Sequence, residues 1–295
     1  MKYVLTGSVG NISKPIAITL IEAGHQVSII SSKAGKETDI KALGAIALTG
    51  SVEDVYFLSE AFKGADAVYL MIPPNWSATN FLDYQQKVAD NYIQALAKNS
   101  IKNVVVLSSI GAHMGKGAGP VDGLAYLESK LNQLPELNAV YLRPSYFYYN
   151  LLSMIPLIKN AGIMGSNQPA DFKLVLVHPT DIAAVAAKKL LDLDFTGKQV
   201  CYIGGDERTW TDITATLSGV VGKENVPWVE FTDEQSLNGM LHAGLPETIA
   251  NAYTTMGIAL RSGEMQSDYW KQHPHEMGKV KLEEFATEFA EAFNK

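Results

Sequence analysis

Over its first 150 residues the chain repeats one pattern: a short β-branched apolar run, a turn, then a stretch of helical periodicity. The runs are Tyr3-Val-Leu5, Gln26-Val-Ser-Ile-Ile30, Ala45-Ile-Ala-Leu48, Ala67-Val-Tyr-Leu-Met-Ile72, Asn103-Val-Val-Val-Leu107 and Asn138-Ala-Val-Tyr-Leu142. Strands this short and this apolar are buried on both faces, the condition of a parallel sheet covered by helices on each side. The pattern predicts an α/β fold with a Rossmann-type doubly wound parallel sheet.

Past Leu142 the alternation loosens, and Pro156, Gly162 and Gly165 interrupt the chain before two more apolar runs, Lys173-Leu-Val-Leu-Val177 and Val200-Cys-Tyr-Ile203. We therefore expect a dinucleotide-binding domain over residues 1–155, with 173–204 returning to it. Residues 156–172 and 205–295 form a smaller C-terminal substrate-binding lobe in this reading. His178-Pro-Thr-Asp181 reads as a turn whose Thr180 and Asp181 cap the next helix. Further helices are expected over Thr211 to Val221 and from about Leu282, with an extended Trp228 to Phe231 between them.

Charge excludes some functions. The 24 Lys and Arg against 31 Asp and Glu leave a formal net charge of −7, with no basic cluster of the kind phosphate backbones require. Nucleic acid is not an expected partner; a small molecule in a cleft is, and self-association stays open. Cys201, the one cysteine, excludes an internal disulfide and sits in an apolar run that reads as a buried strand. The chain enters its first strand without a charged leader, and no apolar run approaches the ~18 residues of a membrane span, so a cytoplasmic protein is expected.

Chemistry is first visible in the turn after the first strand, Thr6-Gly-Ser-Val-Gly-Asn-Ile-Ser-Lys-Pro15. Gly7 permits a tight turn, and Gly10, three residues on, lets the backbone approach a pyrophosphate resting on the helix N-terminus. Gly7, Ser8, Val9, Gly10, Asn11 and Ile12 are the candidate phosphate cradle. Ser13 occupies the third glycine position of the usual fingerprint, which weakens the motif. The second strand then runs into Ser31-Ser-Lys33 with no carboxylate to hold the ribose hydroxyls of NAD. Two hydroxyls and an ammonium suit a 2′-phosphate, so NADP(H) is favoured over NAD(H). The competing reading is a turn closed by Ser31 and Ser32, with Lys33 solvated.

Taken together, these residues resemble the NmrA-like, atypical members of the extended short-chain dehydrogenase/reductase superfamily. The resemblance covers most of the chain. It rests on Thr6-Gly-Ser-Val-Gly10, Val105-Val-Leu-Ser-Ser109, Leu142-Arg-Pro-Ser-Tyr-Phe-Tyr-Tyr-Asn150, His178-Pro-Thr-Asp-Ile-Ala183 and Trp210-Thr-Asp-Ile-Thr214, in that order. It implies that Ser51 and Val52 flank the adenine and that Met71, Ile72 and Pro73 line the middle of the cofactor. Ser108 and Ser109 would lie beside the nicotinamide, and the loop of Arg143, Pro144, Ser145, Tyr146 and Phe147 would wrap its carboxamide end.

Tyr126-Leu-Glu-Ser-Lys130 has the Tyr-x-x-x-Lys spacing of catalytic short-chain dehydrogenases. Four residues apart on a helix, Tyr126 as proton donor and Lys130 as its electrostatic partner and ribose contact would share a face, with Ser109 orienting a carbonyl oxygen. Ser109 and Tyr126 are only 17 positions apart, and the chain has 13 tyrosines. The alternative is a partly buried helix aromatic.

His113 reads as a surface histidine of the Gly111 to Gly123 loop. His273-Pro-His275-Glu276 has metal-ligand residue types but reads as a solvated loop. Tyr146 to Tyr149 could stack on a flat substrate, or form core. The expected function is NADPH-dependent hydride transfer to a small carbonyl or quinone acceptor. A non-catalytic NADP(H) sensor is the alternative, and a nucleotide-sugar epimerase or dehydratase a third reading.

Overall fold

Each of the six apolar runs becomes a strand in the computed structural model, which describes residues 1–223, 226–272 and 276–295. In chain order the first elements are β1 (Lys2–Leu5), α1 (Ser13–Glu22), β2 (Gln26–Ser31), α2 (Glu37–Ala42), β3 (Ile46–Thr49), α3 (Val55–Ala61) and β4 (Ala67–Leu70). They are followed by α4 (Phe81–Lys98), β5 (Asn103–Leu107), α5 (Asp122–Asn132), β6 (Asn138–Pro144) and β7 (Tyr146–Phe147). Then come α6 (Ile155–Ala161), β8 (Met164–Ser166), β9 (Lys173–Val177), α7 (Pro179–Asp192), β10 (Lys198–Gly204), β11 (Asp206–Thr209) and α8 (Trp210–Val220). The chain finishes with β12 (Trp228–Glu230), α9 (Asp233–His242), α10 (Glu247–Arg261), α11 (Glu264–Lys271), β13 (Glu276–Met277) and α12 (Leu282–Phe293).

The described residues fall into two units. The first comprises Met1–Ser109, Asp122–Arg143 and Ile182–Cys201. Its strands lie in the order β10-β6-β5-β4-β1-β2-β3, and β6, β5, β4, β1, β2 and β3 pair in parallel. The eighth strand of the sheet, β13, pairs in parallel with Ile203 and Gly204, where β10 runs on into the second unit. The chain builds outward from β1 to β3 and then returns to the other side of β1 with β4. That reversal between β1 and β4 is a topological switch point, and doubly wound sheets take their ligands outside the carboxyl ends of the strands at such a point.

Alternation along the strands divides their side chains between two layers. Val68, Leu70, Val104 and Val106 pack with Val88, Tyr92, Leu96, Leu127 and Leu131 of α4 and α5. On the opposite face the buried Tyr3 hydroxyl donates to the Leu190 carbonyl of α7 at 2.9 Å. The sheet is therefore covered on both sides, as its apolar composition requires. The fourth strand ends two residues earlier than its apolar run. The Met71 amide donates to Thr6 Oγ1 at 2.8 Å and its carbonyl accepts from the Tyr92 hydroxyl at 2.7 Å, which takes both backbone groups out of the ladder.

The second unit comprises Ile110–Val121, Pro144–Asp181 and Tyr202–Lys295. Strand β9 pairs antiparallel with β11 and parallel with β7, and β8 pairs in parallel with β12. Its core includes the indole of Trp210 stacked on Trp228, with centroids 4.3 Å apart. Residues 110–121 are packed against helices of this unit: a Cβ on Gly119 (φ +61) would meet the Ala252 carbonyl of α10, and one on Gly111 would meet Met265 of α11. His113 is accordingly half-buried, with Nε2 at 3.3 Å from Ser267 Oγ, and is not a surface histidine.

Two local expectations change. The Thr180 amide donates to His178 Nδ1 at 3.3 Å, while the Asp181 carboxylate accepts from the Val280 amide at 3.1 Å; the cap at the start of α7 is the histidine. Cys201 lies on β10 but is only half-buried, because the outer end of that strand is exposed at Gln199 and Val200. His273, Pro274 and His275 lie outside the described residues. Among the described residues no helix is long and apolar enough to cross a membrane.

Candidate cofactor site

The turn between β1 and α1 is built for close approach. Gly7 has φ +94, and a Cβ there would sit 2.5 Å from Ser13 Oγ; one on Gly10 would sit 3.1 Å from the Gly7 carbonyl. Ser8 takes a left-handed φ of 55, unusual for a residue with a side chain. Its amide donates to the Ile30 carbonyl at 3.0 Å and its hydroxyl to Ser31 Oγ at 3.0 Å, which offsets the strain. Ser13, in the position of the third glycine, is buried and donates its hydroxyl to the Thr6 carbonyl at 2.9 Å. The helix can thus lie close to the strand with a serine there, since its polar atom is satisfied. Helix α1 opens at Ile12 with no side-chain cap and no acidic residue in its first turn. Its dipole is left unneutralised, a condition that favours an anion.

Around this turn the neighbouring strand ends are tied together. Buried Thr6 donates its amide to the Tyr69 carbonyl at 3.1 Å and accepts the Met71 amide, so Met71 lies against Gly7. Ile72 is buried, and the Pro73 carbonyl accepts the Tyr84 hydroxyl at 2.9 Å. Burial, reinforced by Glu53, pushes the Tyr84 phenol up to about 12. Beyond β3 the Gly50 amide donates to the Ser31 carbonyl, Ser51 Oγ accepts the Glu53 amide, and the carbonyl of buried Val52 accepts from Asn91.

At the end of β2 the three expected phosphate ligands separate. Ser31 is buried, and its hydroxyl is occupied by Ser8 and the Lys33 backbone; it supports the turn and is withdrawn as a phosphate ligand. Ser32 and Lys33 are exposed. Lys36 and Lys14 both stand near Asp39, with Lys36 at 2.9 Å, and their charges hold its carboxyl below the usual range. The region is cationic on balance.

The proposed catalytic group is not assembled by the fold. Ser108 is buried, and its hydroxyl donates to Glu128 Oε1 at 2.5 Å. Glu128 also accepts from Arg143 Nη2 at 2.6 Å and Nε at 3.1 Å, both side chains being buried. Glu128 therefore fixes which face of α5 addresses the ends of β5 and β6. Tyr126 and Lys130, two residues before and after it, lie roughly 160° around the helix. That face adjoins α4: the Tyr126 hydroxyl donates to Asp90 Oδ1 at 3.0 Å, and the Lys130 ammonium lies 5.1 Å from the Tyr126 ring centroid. Tyr126 is withdrawn as proton donor and Lys130 as cofactor contact. Ser109 is half-buried at the end of β5 and keeps its place among the candidates.

In the second unit, Pro144 accepts the Ile110 amide at 2.9 Å and the Ser145 amide donates to the Ile203 carbonyl at 2.9 Å. The Ser145 hydroxyl is buried with no hydrogen-bond partner, an orphan that a polar ligand group would satisfy. Tyr146 meets Trp210 edge-on, and burial raises its phenol. Phe147 pairs in β7 with Val177. Tyr148 and Tyr149 are not free to stack on a substrate: Tyr148 stacks on Phe285 at 5.1 Å, and the Tyr149 hydroxyl donates to Glu288, both on α12.

Sequence reasoning missed the roles of Thr6, Tyr92 and Glu128, and it placed Arg143 in the loop around the carboxamide, whereas its guanidinium is bound by Glu128. One signal was available: an arginine at the end of the apolar run Ala139 to Leu142 requires a buried carboxylate, and Glu128 lies between Leu127 and Leu131 on the buried side of a helix.

The chain is 25% identical over 267 residues to a (4-alkanoyl-5-oxo-2,5-dihydrofuran-3-yl)methyl phosphate reductase of Streptomyces griseus, covering 90% of this chain and 89% of that protein. It is 24% identical to agroclavine dehydrogenase of Claviceps fusiformis, covering 89% and 88%. Its fold is similar to that of an NADPH-dependent quinone oxidoreductase of Escherichia coli complexed with NADPH. That match has a TM-score of 0.82 and 20% identity, covering 97% of this chain and 99% of that one. The NmrA-like family model matches residues 2–286, and the chain belongs to the NmrA-like family.

Proposed function

We propose that the chain is an NADPH-dependent reductase that passes hydride to a small conjugated carbonyl or quinone. The observation that carries this reading is the β1–α1 turn at the reversal between β1 and β4, where Gly7 and Gly10 let the backbone fold so tightly on Ser13 and the Gly7 carbonyl that a Cβ would crowd them. The names of the similar proteins, a reductase, a dehydrogenase and an NADPH-dependent quinone oxidoreductase, support it.

In this reading the amides from Gly7 to Ile12 and the α1 dipole hold the pyrophosphate. Ser32 and Lys33 hold the 2′-phosphate, with Lys14 and Lys36 adding positive potential. Ser51 and Val52 flank the adenine, and Met71, Ile72 and Pro73 line the middle of the site. The Ser145 hydroxyl meets the carboxamide, beside Pro144, Tyr146 and Phe147. Bound NADPH supplies the hydride. Ser109 hydrogen-bonds the acceptor oxygen as negative charge develops on it, and water supplies the proton. We place the protein in the cytoplasm, where this cofactor is reduced.

The test is NADPH oxidation by the full-length protein, followed at the nicotinamide absorbance, with a panel of quinones and small enones. Turnover that falls at least tenfold in Ser109→Ala is the expected result. No turnover with any acceptor despite NADPH binding would favour a second reading, a cofactor-occupancy sensor without catalysis. That reading draws on the engagement of Tyr126 by Asp90, which leaves no side-chain proton donor assigned.

A further inference from the structure

We propose that Trp76 is the stacking platform for a planar, uncharged conjugated acceptor. The inference deepens the reductase reading and rests on it. Among the described residues the exposed large aromatics are Tyr56, Trp76 and Trp270. Trp76 alone follows a strand that borders the β1/β4 reversal, six residues beyond the end of β4. Ligands of doubly wound sheets bind outside the carboxyl ends of strands at such a reversal.

The loop that carries the indole is fixed in shape. Pro73 and Pro74 restrict its entry, and the Tyr84 hydroxyl holds the Pro73 carbonyl. Asn75 Oδ1 accepts the Ser77 amide at 3.1 Å and the Ser77 hydroxyl at 2.8 Å, and the Ala78 amide donates to the Asn75 carbonyl. Asn80 closes the segment by capping α4 through the Leu82 and Asp83 amides. Within this frame Trp76 is 50% exposed, and its ring is within 13° of parallel to that of Phe81, with centroids 6.4 Å apart. Phe81 is buried, so it anchors the pair.

A large aromatic ring held half in water by a preordered loop sacrifices burial, which is worth more for tryptophan than for most residues. Ligand binding recovers that burial, and little ordering entropy remains to be lost. The chemistry of the loop defines the ligand. Residues 71–80 contain no charged side chain, so the surface selects a flat π system over a phosphate or carboxylate.

The experiment compares wild type, Trp76→Ala and Trp76→Phe in the full chain, using menadione as the planar probe and 2,3-butanedione as a small aliphatic control. Binding is measured by calorimetry with and without NADP⁺, and KM and kcat are measured with NADPH. Trp76→Ala should weaken menadione binding and raise its KM about tenfold. NADPH affinity and the KM for butanedione should not change, and Trp76→Phe should restore menadione affinity to within about threefold. Equal menadione affinity in wild type and Trp76→Ala overturns the proposal, as does an equal loss for both acceptors or no menadione binding by the wild type. Failure of the wild type to bind NADPH counts against the reductase reading instead, because menadione binding judges Trp76 separately.

Discussion

At Tyr126 the same residue types in the same spacing support two different structures, and the helix face decides between them. Tyr-x-x-x-Lys guarantees that Tyr126 and Lys130 share a face of α5, but not that this face meets the cofactor. Glu128 settles the rotation by binding Ser108 and Arg143, and Tyr126 is left donating to Asp90. Tyr126→Phe should therefore change the rate of NADPH oxidation by less than about twofold while costing about 0.5–1.5 kcal/mol of stability for the lost hydrogen bond. Paired kinetic and urea-unfolding measurements check this; a loss of a hundredfold or more in kcat would return the phenol to the chemistry. Ser13 teaches the converse. It looked like a defect in the glycine fingerprint, yet its hydroxyl finds the Thr6 carbonyl, an interaction with no signature in residue spacing.

At the level of elements, the buried Glu128–Arg143 pair joins α5 to β6 and holds the Ser108 hydroxyl at the end of β5. Glu128→Gln would leave the Arg143 guanidinium buried without its counter-charge, and we expect a loss of about 3–5 kcal/mol, measured as a shift in the urea midpoint. A loss below about 1 kcal/mol would mean that water reaches the pair. The elements themselves were largely legible. All six apolar runs became strands because burial on both faces writes an uninterrupted apolar signature. The aromatic run from Tyr146 to Tyr149 was not legible: its rings divide between Trp210 and α12, more than 60 and 130 residues away in the chain. Likewise Asp181 serves Val280 and not its own helix, because a distant segment competes for the carboxylate.

At the scale of the whole molecule, the first unit carries several phenols whose protons burial retains. Tyr84 is pushed up to about 12 from 10.0, and Tyr69 and Tyr92 are raised further. A pKa raised on folding contributes stability that is complete below the unfolded value and is lost as pH rises through the folded one. Stability should thus be insensitive to these groups below about pH 9 and fall steeply between about pH 10 and 12. Tyr84→Phe should flatten the start of that decline, as followed by thermal unfolding across the alkaline range. The parallel, doubly wound sheet followed from the sequence pattern, whereas the strand order, with its reversal between β1 and β4, had no signature in the spacing of the runs. Nor had the choice of substrate, since it depends on loops such as residues 71–80, whose conformation is set by hydrogen bonds between side chains and backbone.

The nucleotide site proposed at that reversal selects for a 2′-phosphate through Lys33. Calorimetric titration of wild type and Lys33→Ala with NADPH and with NADH tests it most directly. We predict that NADPH binds the wild type at least tenfold more tightly than NADH, about 1.4 kcal/mol or more. The difference should shrink in Lys33→Ala, with NADH binding unchanged. Equal binding of both nucleotides by the wild type would contradict the phosphate assignment, and binding of neither would contradict the cofactor site itself.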